Sequence, residues 1–374
     1  MKVPQFSLAS QTTRIKEELE EVIGQVVTKG SFILGENVQK LEREAARYLD
    51  VEYGIGVGSG SDALYLALLA CGVGFEDEVI TTPFTFFATA GSIIRAGAVP
   101  VFVDIDPDTF NLDVNLLEEK ITEKTRAIMP VHLYGQAADM APLMEIAVKH
   151  NLKVVEDTAQ AMGSLYGGKK SCSFGDAGCL SFFPTKNLGG FGDGGMVVTG
   201  NPEVAEKVKM LRVHGSRKKY FHEVVGINSR LDEIQAAVLA VKMKYLDQWI
   251  AARNSLAANY MKLFKQHGLD EIVKLPRTID NAYHTYNQYT IRVPDRDKLQ
   301  AFLNERGVGT AIYYPLPLHL QPSFSSLNYR IGDFPQAEKA CGEVISLPVF
   351  PELASEQQEY VVETMKQFYR EKGF

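Results

Sequence analysis

Hydrophobic and polar positions follow two patterns in the first half of the chain. Residues 13–48 carry apolar side chains at helical spacing, and the interruption KGSFILGE at 29–36 predicts two separate amphipathic helices. From about residue 54, apolar runs of strand length alternate with segments of helix length. These runs are continuous, as in strands of a parallel sheet that is covered on both faces. This half is therefore predicted to be α/β.

The same pattern places the individual elements. Strands are predicted at 78–82, 99–104, 127–135 and 153–157, and helices at 61–71, 85–97, 114–121, 140–150 and 202–215. A long helical region is predicted at 231–266. Beyond it, strands at 287–293 and 309–314 and helices at 295–307 and 355–370 predict a smaller α+β domain. We expect residues 1–245 to form the large domain and 246–374 the small C-terminal one.

Composition excludes several classes of protein. A net charge of −7 argues against a general nucleic-acid binder. No apolar run reaches membrane-spanning length, and the N-terminus lacks the apolar core of a signal peptide. The four cysteines and seven histidines show no metal-ligand spacing. We expect a cytoplasmic protein that binds no nucleic acid, no membrane and no metal.

Lys186 is the first candidate for chemistry. It lies in a Pro-Thr-Lys-Asn turn between the apolar strand at 180–183 and a glycine-rich hairpin at 189–195. An amine held at such a strand end is partly desolvated, which favours the neutral form needed for a Schiff base. The alternative is an ordinary solvated lysine.

Further signals lie where other predicted strands end. Gly60 and Ser61 open a helix, where backbone N–H groups suit a phosphate, although such a turn before a helix is more often simply a cap. Asp157 closes a strand and suits the protonated nitrogen of a heteroaromatic ring, or alternatively caps a helix. Phe86 suits stacking on a planar ring, or alternatively core packing. Together with Ser181 and Lys186, these signals predict pyridoxal 5′-phosphate as the ligand.

Four motifs carry a family resemblance. The segments EDTAQAMGS, SFFPTKNLGGFGDGG, GINSRLDEIQAA and YYPLPLHLQ closely resemble the DegT/DnrJ/EryC1/StrS family of pyridoxal-phosphate-dependent sugar aminotransferases. The resemblance covers nearly the whole chain. It implies the aspartate aminotransferase-like fold (fold type I), with a mixed, mostly parallel sheet in the large domain.

The resemblance also implies roles for individual residues. Lys186 would form the Schiff base with the cofactor and Asp157 would pair with its ring nitrogen. The remaining cofactor contacts would come from Gln160 at the phenolic oxygen, Phe86 at the ring face, and Gly60, Ser61 and Ser181 at the phosphate. Asn228 would reach the phosphate from the other subunit of a homodimer with shared active sites. Gly190-Phe191 departs from the Ala-Tyr or Cys-Tyr of many relatives, which we expect to alter the substrate side of the pocket.

The implied reaction has two halves. L-glutamate would convert the cofactor to pyridoxamine 5′-phosphate, and a nucleotide-linked keto-sugar would then accept the amino group. A dTDP- or UDP-linked 3-keto-hexose is favoured by the similarity of SFILGENVQ and NSRLDEIQAA, with a 4-keto sugar as the alternative. Related sugar dehydratases carry histidine in place of Lys186, so the lysine argues for transamination. A regulatory protein that has lost catalysis is the alternative from another class.

The diphosphate of such a substrate requires local positive charge. Residues 217–220 form the densest basic and aromatic run of the chain, and Lys219 and Tyr220 are its candidates for substrate contact. The alternative is a solvated loop. Tyr314 and His319, in a proline-rich loop, are further substrate-binding candidates, and a packed loop residue is the alternative for His319.

Overall fold

A computed structural model describes residues 1–373. Its α-helices are α1 Ala9–Arg14, α2 Lys16–Lys29, α3 Glu36–Tyr48, α4 Gly60–Ala70, α5 Phe87–Arg95, α6 Met140–Lys149, α7 Pro202–Leu211, α8 Glu233–Met243, α9 Leu246–Gln266, α10 Arg296–Glu305, α11 Pro335–Glu343 and α12 Ser355–Glu371. Its strands are β1 Tyr53–Val57, β2 Glu78–Thr81, β3 Val99–Phe102, β4 Thr125–Ile128, β5 Lys153–Asp157, β6 Leu165–Tyr166, β7 Lys169–Lys170, β8 Ala177–Ser181, β9 Gly195–Thr199, β10 Ser216–Lys218, β11 Phe221–His222, β12 Ala282–Tyr283, β13 Tyr289–Arg292 and β14 Val344–Leu347.

A seven-stranded sheet forms the centre of the large domain, in the order β1-β9-β8-β5-β4-β2-β3. The five strands from β8 to β3 are parallel, whereas β9 runs antiparallel to both β8 and β1. Apolar residues of these strands are buried, as the continuous apolar runs predict. The prediction of an α/β fold with a mixed, mostly parallel sheet is confirmed.

The order of strands brings distant segments together at one edge. Gly195, the first residue of β9, pairs with Val57 at the end of β1 and with Ser181 at the end of β8. Asp157, at the end of β5, pairs with Cys179 of β8. The loops after β1, β5 and β8 therefore start side by side, as expected of a ligand site in an open α/β sheet.

Whereas α11 packs with Phe84 and Phe102 of the large domain, helices α9, α10 and α12 and the antiparallel pair β13–β14 form a hydrophobic cluster of their own. Val3 also lies in this cluster and bridges to Val308. Helix α8 ends at Met243 and α9 begins at Leu246. The predicted domain boundary at residue 245 falls in this gap and stays a prediction.

Three predicted elements differ from the structure. Of the strand predicted at 127–135, only residues 127 and 128 belong to β4, because Pro130 has no N–H for a central strand, and Leu133–Gly135 form a 3-10 turn. Residues 114–121 form two short 3-10 turns, Val114–Leu116 and Glu118–Lys120, because so short a segment gains little from helix propagation. The strand predicted at 309–314 is reduced to a single bridge between Ala311 and Ser346. Within residues 1–373, none of the helices combines the length and the apolar character that crossing a bilayer requires.

Candidate active site

A cavity of about 440 Å³ opens at the edge where these strands end. Its lining comes from the loops after β1, β2, β5 and β8, from the glycine-rich segment that follows Lys186 and from the C-terminal part. The lining residues used below are Ser59, Gly60, Ser61, Phe86, Asp157, Gln160, Ser181, Lys186, Asp193, Gly194, Gln288, Tyr313 and Tyr314. Eight of the predicted site residues thus share one cavity.

Lys186 reaches this cavity from the turn that follows β8. Its backbone N–H donates to the carbonyl of Phe183 (2.9 Å). Burial lowers the pKa of the Lys186 amine to about 8, and the negative charge of Asp157 opposes part of that shift. A substantial fraction of this amine is therefore neutral near physiological pH, which is the nucleophilic form.

The backbone around Lys186 is fixed by two asparagines. Asn187 donates through Nδ2 to Met162 O (3.1 Å) and to Thr285 Oγ1 (2.9 Å). Asn287 donates through Nδ2 to Asn187 Oδ1 (3.0 Å) and to the carbonyl of Thr185 (3.2 Å). Both sequence neighbours of Lys186 are thereby tied to a loop of the C-terminal part.

Asp157 faces the same cavity from the end of β5. Its Oδ2 accepts from Thr89 Oγ1 (2.8 Å) and its Oδ1 from the N–H of Ala159 (3.2 Å). Burial raises the pKa of this carboxyl, whereas Thr89, the Ala159 N–H and the charge of Lys186 oppose the rise. Residues 159–163 form turns and not a helix, so Asp157 does not act as a helix cap. A cation placed at this carboxyl would favour its ionised form.

Gly60 and Ser181 form a close backbone contact beside Lys186. A Cβ on Gly60 would lie 2.7 Å from Ser181 Cβ, so no larger residue fits without displacing backbone. Helix α4 starts at Gly60, and Ser59 caps it by accepting from Asp62 N (3.1 Å). The helix-cap interpretation of this segment holds, and its phosphate role stays a prediction that the start of a helix at the cavity suits.

Gln160 is held in one orientation beside Asp157. Its Oε1 accepts from the N–H of Tyr134 (2.7 Å), and its Nε2 donates to Tyr314 Oη (3.2 Å). Phe86 lines the cavity with 57% of its surface exposed, 6.2 Å from the Tyr314 ring. Phe86 is therefore available for stacking and is not a core residue.

Four predicted residues lie outside the cavity of the single chain. Asn228 is exposed, and the next residue, Ser229, accepts from Gly58 N (2.9 Å) and donates to Asp62 Oδ2 (2.9 Å). Lys219 and Tyr220 lie in the exposed turn between β10 and β11.

His319 is the fourth of these residues. Its side chain is buried, lies 3.1 Å from Glu338 Oε1 and packs against the ring of Phe334. This geometry is that of the packed loop residue, the alternative that the sequence left open.

Several residues that line the cavity, and Thr89, which donates to Asp157, were not predicted from the sequence. Thr89 follows Phe86 by three residues, and this helical spacing was the available signal. Asp193 and Gly194 belong to the glycine-rich hairpin already noted around Lys186. Gln288 had no local signal, whereas Tyr313 begins the motif YYPLPLHLQ, from which Tyr314 and His319 were named instead.

Comparison with known proteins gives matches along nearly the whole chain. Residues 13–366 match the DegT/DnrJ/EryC1/StrS aminotransferase family. The chain is 56% identical to the pleiotropic regulatory protein of Geobacillus stearothermophilus, over 99% of both chains. It is 41% identical to the dTDP-3-amino-3,4,6-trideoxy-alpha-D-glucose transaminase of Streptomyces venezuelae, over 98% of this chain and 96% of the other.

A solved structure agrees with this result. The crystal structure of S. venezuelae DesV in complex with a ketimine intermediate has a TM-score of 0.95 at 41% identity and covers 98% of each chain. The predictions of the fold, the aminotransferase class and the cofactor are confirmed at the level of the family. The chain therefore belongs to the DegT/DnrJ/EryC1/StrS aminotransferase family, whose enzymes depend on pyridoxal 5′-phosphate.

Proposed function

We propose that the chain transfers an amino group from L-glutamate to a dTDP- or UDP-linked 3-keto-hexose in amino-sugar biosynthesis. The observation that carries this proposal is the pair formed by Lys186 and Asp157, which influence each other's pKa across one cavity. A lysine with a lowered pKa and a buried carboxylate are what pyridoxal-phosphate chemistry requires of a protein.

The cavity residues fit each part of the cofactor. The narrow contact of Gly60 with Ser181, at the start of α4, suits the phosphate. Asp157 suits the ring nitrogen and Phe86 the ring face, while the oriented amide of Gln160 suits the phenolic oxygen. When bound, pyridoxal 5′-phosphate supplies an aldehyde and an electron-withdrawing ring.

The side chains of this protein then have separable tasks. Asp157 holds a proton on the ring nitrogen, since its carboxylate is oriented by Thr89 and shielded from water. Lys186, with a pKa of about 8, takes up and releases protons at Nζ near neutral pH, as a general acid and base must. The asparagine contacts on both sides of Lys186 keep Nζ in place during these transfers.

The charges of the substrates support a homodimer with shared sites. The cofactor and a nucleotide sugar bring three phosphate groups, whereas Lys186 is the one cationic side chain in the described lining of the cavity. Asn228, Lys219 and Tyr220 are exposed on the same chain and do not belong to the described lining of this cavity. We propose that they complete the site of the neighbouring subunit, where Lys219 contacts the diphosphate.

The 3-keto position has its own support. The transaminase of S. venezuelae is named for a dTDP-3-amino sugar, and this chain is 41% identical to it. The G. stearothermophilus relative is named as a regulatory protein, which keeps a non-catalytic member of the family as the second candidate. The presence of Lys186, Asp157 and Gln160 in one cavity favours the enzyme.

Spectroscopy of the purified protein decides between these two candidates. We expect a yellow protein whose visible absorbance bleaches when L-glutamate is added and returns with the keto-sugar nucleotide. Lys186→Ala should abolish bleaching, whereas Lys169→Ala, an exposed lysine on β7, should leave it unchanged. A protein that binds the cofactor but bleaches with no amino acid would support the regulatory candidate instead.

A further inference from the structure

A second buried lysine, Lys242 on α8, has no part in the mechanism described so far. It is 2% exposed, and burial lowers the pKa of its amine to about 8. Its Nζ donates to the carbonyl of Gly189 and lies 5.5 Å from the ring centre of Phe191 and 6.0 Å from that of Trp249. Burying an amine is costly, so its contact with Gly189 needs an explanation.

Gln235 makes a matching contact from the same helix. Its Oε1 accepts from the N–H of Phe191 (2.7 Å). Because Gln235 and Lys242 are seven residues apart, they lie two turns apart on one face of α8. Helix α8 thus holds the segment Gly189–Gly194 at two points, and we call this segment the glycine hairpin.

The glycine hairpin forms one wall of the active-site cavity. Asp193 and Gly194 lie in the lining, and Asp193 is exposed to solvent. At its base the hairpin is joined to the end of β8 by Gly190 N to Phe182 O and Phe182 N to Gly194 O, both 2.8 Å. The contacts of Gly189 and Phe191 with α8 are the side-chain hydrogen bonds that the structure gives this segment.

We propose that Lys242 is a positioning residue, which together with Gln235 clamps the glycine hairpin against α8 and so fixes the wall of the substrate cavity. The identity of the substrate in this statement rests on the proposed function, but the clamp itself does not. The turn that carries Lys186 packs against Gly189 but has hydrogen bonds of its own, through Asn187 and Asn287. Loss of the clamp should therefore loosen the wall and leave the lysine that binds the cofactor in place.

The first experiment needs neither substrate nor activity. Trp249 is the one tryptophan of the chain, so its fluorescence reports on the surroundings of Lys242. In the holoenzyme, Lys242→Met should change Trp249 emission and should speed amide hydrogen exchange in peptides covering residues 189–194 at least tenfold. Gln235→Ala should speed exchange in the same peptides.

The second experiment separates positioning from general stability. Lys242→Met should raise the KM for the keto-sugar nucleotide about tenfold, with kcat changed less than threefold, because substrate binding and not Lys186 is affected. Lys242→Arg, which keeps a cationic donor, should restore most of the lost affinity. Lys244→Met, at an exposed ion pair with Glu18, is the matched control and should behave as wild type.

The outcomes distinguish this proposal from the proposed function. Unchanged hydrogen exchange at residues 189–194 in both Lys242→Met and Gln235→Ala would overturn the clamp, whatever the enzyme turns over. An equal loss of kcat and cofactor binding in all clamp variants would also overturn it, since the role would then be structural. A protein without transaminase activity whose hairpin exchange still rises would leave the clamp standing and remove the substrate assignment.

Discussion

At the scale of single residues, the chemistry of the site depends on the protonation states of Lys186 and Asp157. Lys186 was identified from its own surroundings in the sequence, because the turn that carries it and the glycines that follow are contiguous. Thr89, which orients Asp157, lies 68 residues from it in the sequence. Asn287, which holds the turn of Lys186 through Asn187, lies 100 residues from Asn187. Contacts at such separations depend on the folded chain, so local patterns did not reveal them.

From the lowered pKa of Lys186 we predict how the rate of cofactor capture by the apoenzyme depends on pH. With a pKa of about 8 instead of the ordinary 10.5, roughly a tenth of the amine is neutral at pH 7. Since the neutral form attacks the aldehyde, the rate of pyridoxal-phosphate capture should rise about tenfold per pH unit below pH 8 and level off above it. Stopped-flow absorbance measures this rate, and an inflection near pH 10 would show that burial does not set the pKa.

The proposed role of Lys219 predicts how its removal affects substrate binding. Because we propose that it contacts the diphosphate, Lys219→Ala should raise the KM for the nucleotide sugar roughly ten- to a hundredfold, the cost of one charge-assisted hydrogen bond. The half-reaction with glutamate should be nearly unchanged, as stopped-flow bleaching would show. Lys218→Ala, the neighbouring residue on β10, is the control. Equal damage to both half-reactions would place Lys219 at the cofactor.

At the scale of elements, the sequence predicted most helices and central strands, because their apolar patterns are local and strong. It did not predict the strand order, in which β9 inserts between β1 and β8. That insertion brings Gly195 between Val57 and Ser181 and so creates the contact of Gly60 with Ser181. The sequence thus identified the parts of the proposed phosphate site, while pairing between distant strands brings them together.

The contact at Gly60 predicts the effect of one methyl group. In Gly60→Ala, the new Cβ would meet Ser181 Cβ at 2.7 Å, and neither atom belongs to a flexible side-chain end. We expect the dissociation constant of pyridoxal 5′-phosphate to rise at least about tenfold, measured by fluorescence titration of the apoenzyme. Gly24→Ala is the control, since a Cβ there meets nothing within 4 Å and should stabilise α2 by about 0.5–1 kcal/mol. Equal cofactor affinity in both variants would argue against the phosphate site.

At the scale of the whole molecule, Lys186 is the one cationic side chain in the described lining of the cavity, whereas the cofactor and the proposed substrate together carry three phosphate groups. Asn228 is exposed, and the next residue contacts the start of α4. From this position we propose that Asn228 serves the active site of a neighbouring subunit. The sharing of active sites between two subunits was expected only because the motif containing Asn228 resembles the family. No local pattern reports which surface meets a second copy of the chain.

Mixed dimers test this division directly. Co-expression of Lys186→Ala with Asn228→Asp should restore activity, because one of the two sites in each hybrid combines an intact lysine with an intact asparagine. With random pairing, about a quarter of all sites would be intact. Each variant alone is the control. Hybrids that form, as shown by differently tagged subunits, but stay inactive would mean that each chain builds its own site.

In such a dimer, the hydrogen bonds of Ser229 would connect the two cofactor sites. Ser229 accepts from Gly58 and donates to Asp62, so the loop bearing Asn228 is joined to the first turn of α4 within one chain. That turn would hold the cofactor of one subunit, while Asn228 would serve the cofactor of the other. Loading of one subunit would then alter affinity in its twin, and titration of the apoenzyme would give a Hill coefficient other than one.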